Sequence, residues 1–214
     1  MTFYFPFIRK KSSLPKEPYE ELNEQVYQEL RSLHKGFRRK RPDIELDPNL
    51  EACANFNPNA YRITIKSEIA NLEEGEMIQE FKKLIPNATP KIFLKGVLYH
   101  EYSHVFNNNL NLEIFITMPF IYKEFREFDE AFAFCLEENL SGISTFYNSY
   151  ERYRKYGLDP NSIALFFNGL RFDTGARGIE YILNNHDRIF FDDPLIKQKL
   201  QKLGVKNSTA PQIK

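Results

Sequence analysis

Three features of the 214-residue sequence predict an α+β fold, strongly helical with one small sheet. Long stretches repeat apolar residues at three- and four-residue spacing. One short run alternates β-branched residues. Pro, Gly and Asn clusters punctuate the stretches between them. Pro15 to Arg39 reads as the first helix: Pro15 and Pro18 mark its start, Leu22, Val26, Leu30 and Leu33 form its apolar stripe, and Pro42 ends it. Turn residues surround Leu50, Cys53 and Phe56, and Tyr61-Arg62-Ile63-Thr64-Ile65 is the best strand in the chain.

Met77 to Leu84 reads as a short helix closed by Pro86. Thr89-Pro90 opens the next one, and the cluster Asn107-Asn108-Asn109 is expected to stop it. Pro119 precedes a long helix from Tyr122 to Leu140. Beyond Gly142 the pattern is helical again, over Ile143 to Tyr156, Ser162 to Leu170, Gly175 to Leu183 and Pro194 to Leu203. The polar tail Lys206 to Pro211 carries no pattern of its own. The expected organisation is an N-terminal helical segment at 1–45, a core at 46–140 and a C-terminal helical subdomain at 141–214.

Composition narrows the class. The 29 basic and 29 acidic residues cancel, so no global field favours nucleic acid or an anionic membrane. The local basic run Lys35 to Arg41 is read as cations gathered at a helix C-terminus. Twenty Phe and 12 Tyr, with no Trp, supply the buried area. Cys53 and Cys135 have no paired spacing and suggest a reducing compartment. No segment has transmembrane length, and the apolar N-terminus is too short for a signal peptide. The expectation is a soluble, cytoplasmic protein.

The chemistry concentrates at His100-Glu101-Tyr102-Ser103-His104, an H-E-x-x-H motif flanked by Val97, Leu98, Val105 and Phe106. On a helix, positions i and i+4 share one face, so the two imidazoles can bind one metal ion. Glu101 is rotated by about 100° from His100, beside that ion, where it can act as a base. A buried helix carrying two His and a Glu must satisfy those polar groups, and a shared zinc does so. A catalytic zinc takes three protein ligands. Candidates on the next long helix are Glu124, Glu127, Asp129, Glu130, Glu137 and Glu138. Glu130 is preferred, because Ala131 and Ala133 let two helices approach closely, and Glu127, one turn earlier, is its rival.

With His100-Glu101-Tyr102-Ser103-His104 followed by Phe128-Asp129-Glu130-Ala131-Phe132-Ala133, the chain resembles the gluzincin clan of zinc peptidases, and its small members, the minigluzincins, in the order of elements over about residues 50 to 140. The resemblance implies a mostly helical zincin-like domain, with Tyr61 to Ile65 as the edge strand above the cleft. It implies zinc-assisted hydrolysis of a peptide or protein substrate, with Glu101 as general base and a zinc-bound water as nucleophile. It also implies an oxyanion-stabilising Tyr or His, for which Tyr181 and His186 are the candidates. One departure is clear. Several gluzincins carry an Asp four residues after the liganding Glu, where this chain has Phe134. The alternatives to an active peptidase are a latent, zymogen-like form and a metal-stabilised binding scaffold without turnover.

Overall fold

The computed structural model describes residues 17–34, 40–72, 88–145 and 150–205, and positions 75, 78, 79, 82, 83, 85 and 86 between them. Helix α1 (Pro18–Leu33) buries Leu22, Val26 and Leu30 on one stripe. Three strands follow, β1 (Asp43–Asp47), β2 (Ala54–Asn57) and β3 (Arg62–Lys66), then the single turn α2 (Ser67–Ala70). The long helix α3 (Pro90–Thr117) leads through a 3-10 turn at Pro119–Ile121 into α4 (Tyr122–Ser141). The short α5 (Tyr150–Lys155) precedes α6 (Pro160–Arg177), α7 (Ile179–Asp192) and α8 (Pro194–Lys202). The fold is mostly helical α+β, as expected.

The sheet runs in the order β1-β3-β2, with β1 parallel and β2 antiparallel to β3. The strand expected at the edge is therefore central, and β2 is an edge. Both neighbours escape a reading by composition. Asp43-Ile44-Glu45-Leu46-Asp47 alternates correctly but carries three acids, and Ala54-Asn55-Phe56-Asn57 carries two Asn, residue types depleted in strands. Cross-strand packing overrides that preference: Phe56 sits opposite Ile63 and Ala54 opposite Ile65, with all four buried.

Thr89 caps α3 as expected, its Oγ1 accepting the Ile92 amide at 3.2 Å, with Pro90 in the first turn. The Asn cluster does not stop the helix, which runs on to Thr117 and is 28 residues long in all. Asn costs only about 0.7 kcal/mol against Ala in a helix. Burial of Leu110 and Ile114 outweighs that, and Asn107 spends its side chain on a bond to α4. Helix α4 then packs antiparallel along α3, and Gly142 ends it in the left-handed conformation at φ 78°.

Three further expectations shift. Residues 143–145 are not helical, and of the helix expected from Ile143 to Tyr156 the described helical part is α5. Helix α6 outruns Leu170 to reach Arg177, and Gly178, at φ 83°, separates it from α7 where one helix was expected from Gly175 to Leu183. Most of Lys35 to Arg41, the tail after Val205 and the first 16 residues lie outside the described residues. Of the Met77 to Leu84 helix, positions 78, 79, 82 and 83 are described, and all are helical. One hydrophobic cluster joins Val26 of α1, Ile63 and Ile65 of β3, Leu98 of α3, Phe128 of α4, Phe167 of α6 and Phe190 of α7. Among the described residues no helix is long and apolar enough to cross a membrane.

Candidate metal centre

His100 and His104 lie one turn apart on the face of α3 that meets α4, with ring centroids 5.2 Å apart. Glu130 points into the gap between them. Its Oε2 is 3.7 Å from His100 Nε2, and its Oε1 is 4.0 Å from His104 Nε2. One donor atom from each of the three side chains lies within 4.8 Å of the other two, which could hold a metal ion. In a tetrahedral shell with bonds of about 2.0–2.1 Å, ligand atoms stand about 3.4 Å apart. A small inward adjustment therefore closes the set on one ion. Two imidazoles and a carboxylate are also the donor types zinc takes.

The orientation of each ring supports the same use. His100 Nδ1 faces Glu137 Oε2 at 3.3 Å, and His104 Nδ1 faces Asp129 Oδ2 at 2.8 Å. A carboxylate at Nδ1 fixes the proton there and leaves the Nε2 lone pair for a metal. Both carboxylates are themselves held. Asp129 accepts from Asn107 Nδ2, and Glu137 accepts from the Thr145 amide at 2.8 Å and the Thr145 hydroxyl at 3.1 Å. Tyr153 donates its hydroxyl to Glu130 Oε2 at 2.9 Å. Gly96 of α3 lies close to the start of this segment: a Cβ there would stand 2.7 Å from Ile143 Cδ1, so a larger residue would require that side chain to shift.

Burial and charge oppose each other at this cluster. Burial disfavours protonation of His100, but the nearby carboxylates of Glu130, Glu137 and Glu101 outweigh it and push the imidazole up to about 10. Burial acts the same way on His104, where the Asp129 charge and hydrogen bond prevail and raise it to about 9. Glu130 is desolvated too, yet the imidazoles of His100 and His104 beside it, with the Tyr153 hydroxyl, hold it at about 2. Glu101, 6% exposed, goes the other way. Burial dominates there and raises its carboxyl above the ordinary value, against the pull of His100 and His104.

All six acidic candidates on α4 now have places. Glu130 joins the imidazoles, while Asp129 and Glu137 brace them from behind. Glu127 turns away, accepting the Asp159 amide at 2.9 Å and lying 3.5 Å from Lys123. Glu124 pairs with Lys199, and Glu138 with Arg171. The carboxylate missing at Phe134 is thus replaced from two other positions. Glu137 had a signal in the sequence, since seven residues from Glu130 is two turns on the same face. Its reach to His100 also needs the antiparallel pairing of α3 and α4. Tyr153, 23 residues beyond Glu130 on a separate short helix, had none.

The two oxyanion candidates are not among the three donors. Tyr181 accepts from Arg177 at 2.5 Å, beneath that guanidinium, where α6 meets α7. His186 packs against Phe132 at 5.1 Å, with Nδ1 on the Leu183 carbonyl at 3.0 Å. Neither belongs to the cluster or lines the cleft beside it. That cleft opens to solvent next to His104 and Glu130. Asn55 and Phe56 of β2, with Pro58 after them, form one wall. Asn108 and Asn111 of α3 and Arg126 and Asp129 of α4 also line it. A comparison of the chain with protein-family models, with curated proteins and with solved structures found no match.

Proposed function

We propose that this chain is a zinc-dependent peptidase with a gluzincin-like centre, in which His100, His104 and Glu130 hold the ion and Glu101 is the general base. The observation that carries this reading is the convergence of those three donors, with each imidazole fixed from behind by its own carboxylate. Zinc bound there would supply a Lewis acid that polarises a scissile carbonyl and acidifies a water.

The chain's own groups then divide the work. Glu101 is buried beside both imidazoles, and its raised affinity for protons suits a base that takes a proton from the attacking water and returns it to the leaving amine. Asp129 and Glu137 keep the rings aimed, and Tyr153 holds Glu130. Substrate backbone pairs with the outer edge of β2, which lines the cleft, rather than with the central β3. The latent and scaffold alternatives would use the same ligands, so turnover separates them from this reading.

The test is cleavage of a peptide library by the zinc-loaded full chain, with Glu101→Gln as the control. We expect both proteins to carry about one zinc and Glu101→Gln to lose activity by about 10²–10⁴-fold. Equal cleavage by the two would remove Glu101 from the mechanism. Zinc-loaded wild type that cuts no peptide would favour the scaffold.

A further inference from the structure

We propose that Arg126, with the amides of Asn55, Asn108 and Asn111, forms a subsite that takes a carboxylate of the substrate next to the scissile bond; this rests on the peptidase reading of the same cleft. Arg126 lies four residues before Glu130, so it stands one turn, about 5–6 Å, along the same face of α4. Asn108 and Asn111 follow His104 by four and seven residues and continue its face of α3. Because α3 and α4 are antiparallel, the two rows meet on one side of the metal cluster, and Asn55 closes the group from the strand edge.

The state of these groups gives the ligand its sign. Arg126 is half-buried and is the cation among the residues lining the cleft that carries its charge at every pH of interest. Its side chain makes no hydrogen bond or ion pair among the described residues, and neither do the side chains of Asn55, Asn108 and Asn111. The acids at the same wall are engaged: Asp129 by His104 and Asn107, Glu130 by the imidazoles and Tyr153. An unengaged guanidinium with three amides matches the planar, two-oxygen acceptor of a carboxylate. In a peptide that acceptor is either an Asp or Glu side chain or a free C-terminus.

The experiment uses hydroxamates, which bind zinc without being turned over. Blocked glutamyl and glutaminyl hydroxamates, and a neutral peptide hydroxamate ending in a free acid or an amide, are titrated against the cobalt-loaded full chain, wild type and Arg126→Gln, following the metal spectrum. Wild type should bind one acidic member of a pair at least about tenfold tighter than its neutral isostere. The pair that shows this identifies side chain or terminus as the source. Arg126→Gln should abolish the difference while keeping about one metal per chain. Equal affinities within both pairs, a preference that survives Arg126→Gln, or no binding to loaded protein would each overturn the subsite. A preference without peptide cleavage would retain the carboxylate site and remove the peptidase reading instead.

Discussion

At residue scale the centre is an exchange between protons and metal. Without an ion, the imidazoles of His100 and His104 are held protonated up to about 10 and about 9 by the carboxylates around them. Both are raised above the value of an unfolded His, so their contribution to stability is complete below about pH 6.5 and lost as pH rises through 9 to 10. Glu130, lowered to about 2, contributes above the ordinary Glu value and loses that contribution as pH falls toward 2. Metal must displace the imidazole protons. Zinc affinity should therefore climb with pH, by up to about 100-fold per unit through the neutral range, in competition titrations against a chelator. An affinity flat between pH 6 and 8 would mean that the imidazoles are already neutral. Glu137→Gln should weaken zinc about 10–100-fold, because His100 loses the carboxylate that fixes its tautomer. Unchanged affinity would make Glu137 a bystander. The ligand pair was legible because H-E-x-x-H is a local pattern. The pairing of Asp129 with His104 and of Glu137 with His100 was not, because which carboxylate reaches which imidazole depends on how α3 and α4 cross.

Among the elements, the helices were legible where local periodicity decided them. Thr89-Pro90 opens α3 and Gly142 closes α4 by side-chain and backbone rules that act within a few residues. Asn107 to Asn109 misled because propensity is weak beside burial. Leu110 and Ile114 carry the helix through, and Asn107 bonds to Asp129 behind His104. The extra turns should therefore hold the hairpin of α3 and α4 together. Ile114→Ala should cost about 2–5 kcal/mol in urea unfolding of the zinc-free protein. A loss under about 0.5 kcal/mol, the range of surface substitutions, would mean that the end of α3 is dispensable. β1 and β2 stayed hidden because their faces are set by β3, a partner that composition does not reveal.

For the whole molecule, the α+β class and the central pair of helices could be read from the sequence, and the exact membership of the site could not. Tyr181 and His186 lie on the C-terminal helices, and only packing tells which face of those helices meets the cluster. Tyr153 arrives from α5 by the same packing. The sheet, the helical hairpin and the segment around Thr145 all converge on one set of donors, so the central claim is that α3 and α4 share one metal ion through Glu130. Zinc stoichiometry by mass spectrometry of wild type, Glu130→Gln and Glu127→Gln tests it most directly. Gln at 127 still offers an acceptor to the Asp159 amide, so that variant should fold. The account predicts about one zinc per chain in wild type and Glu127→Gln, and a site emptied in Glu130→Gln. Wild type without zinc after reconstitution, or loss of zinc from Glu127→Gln alone, would contradict it.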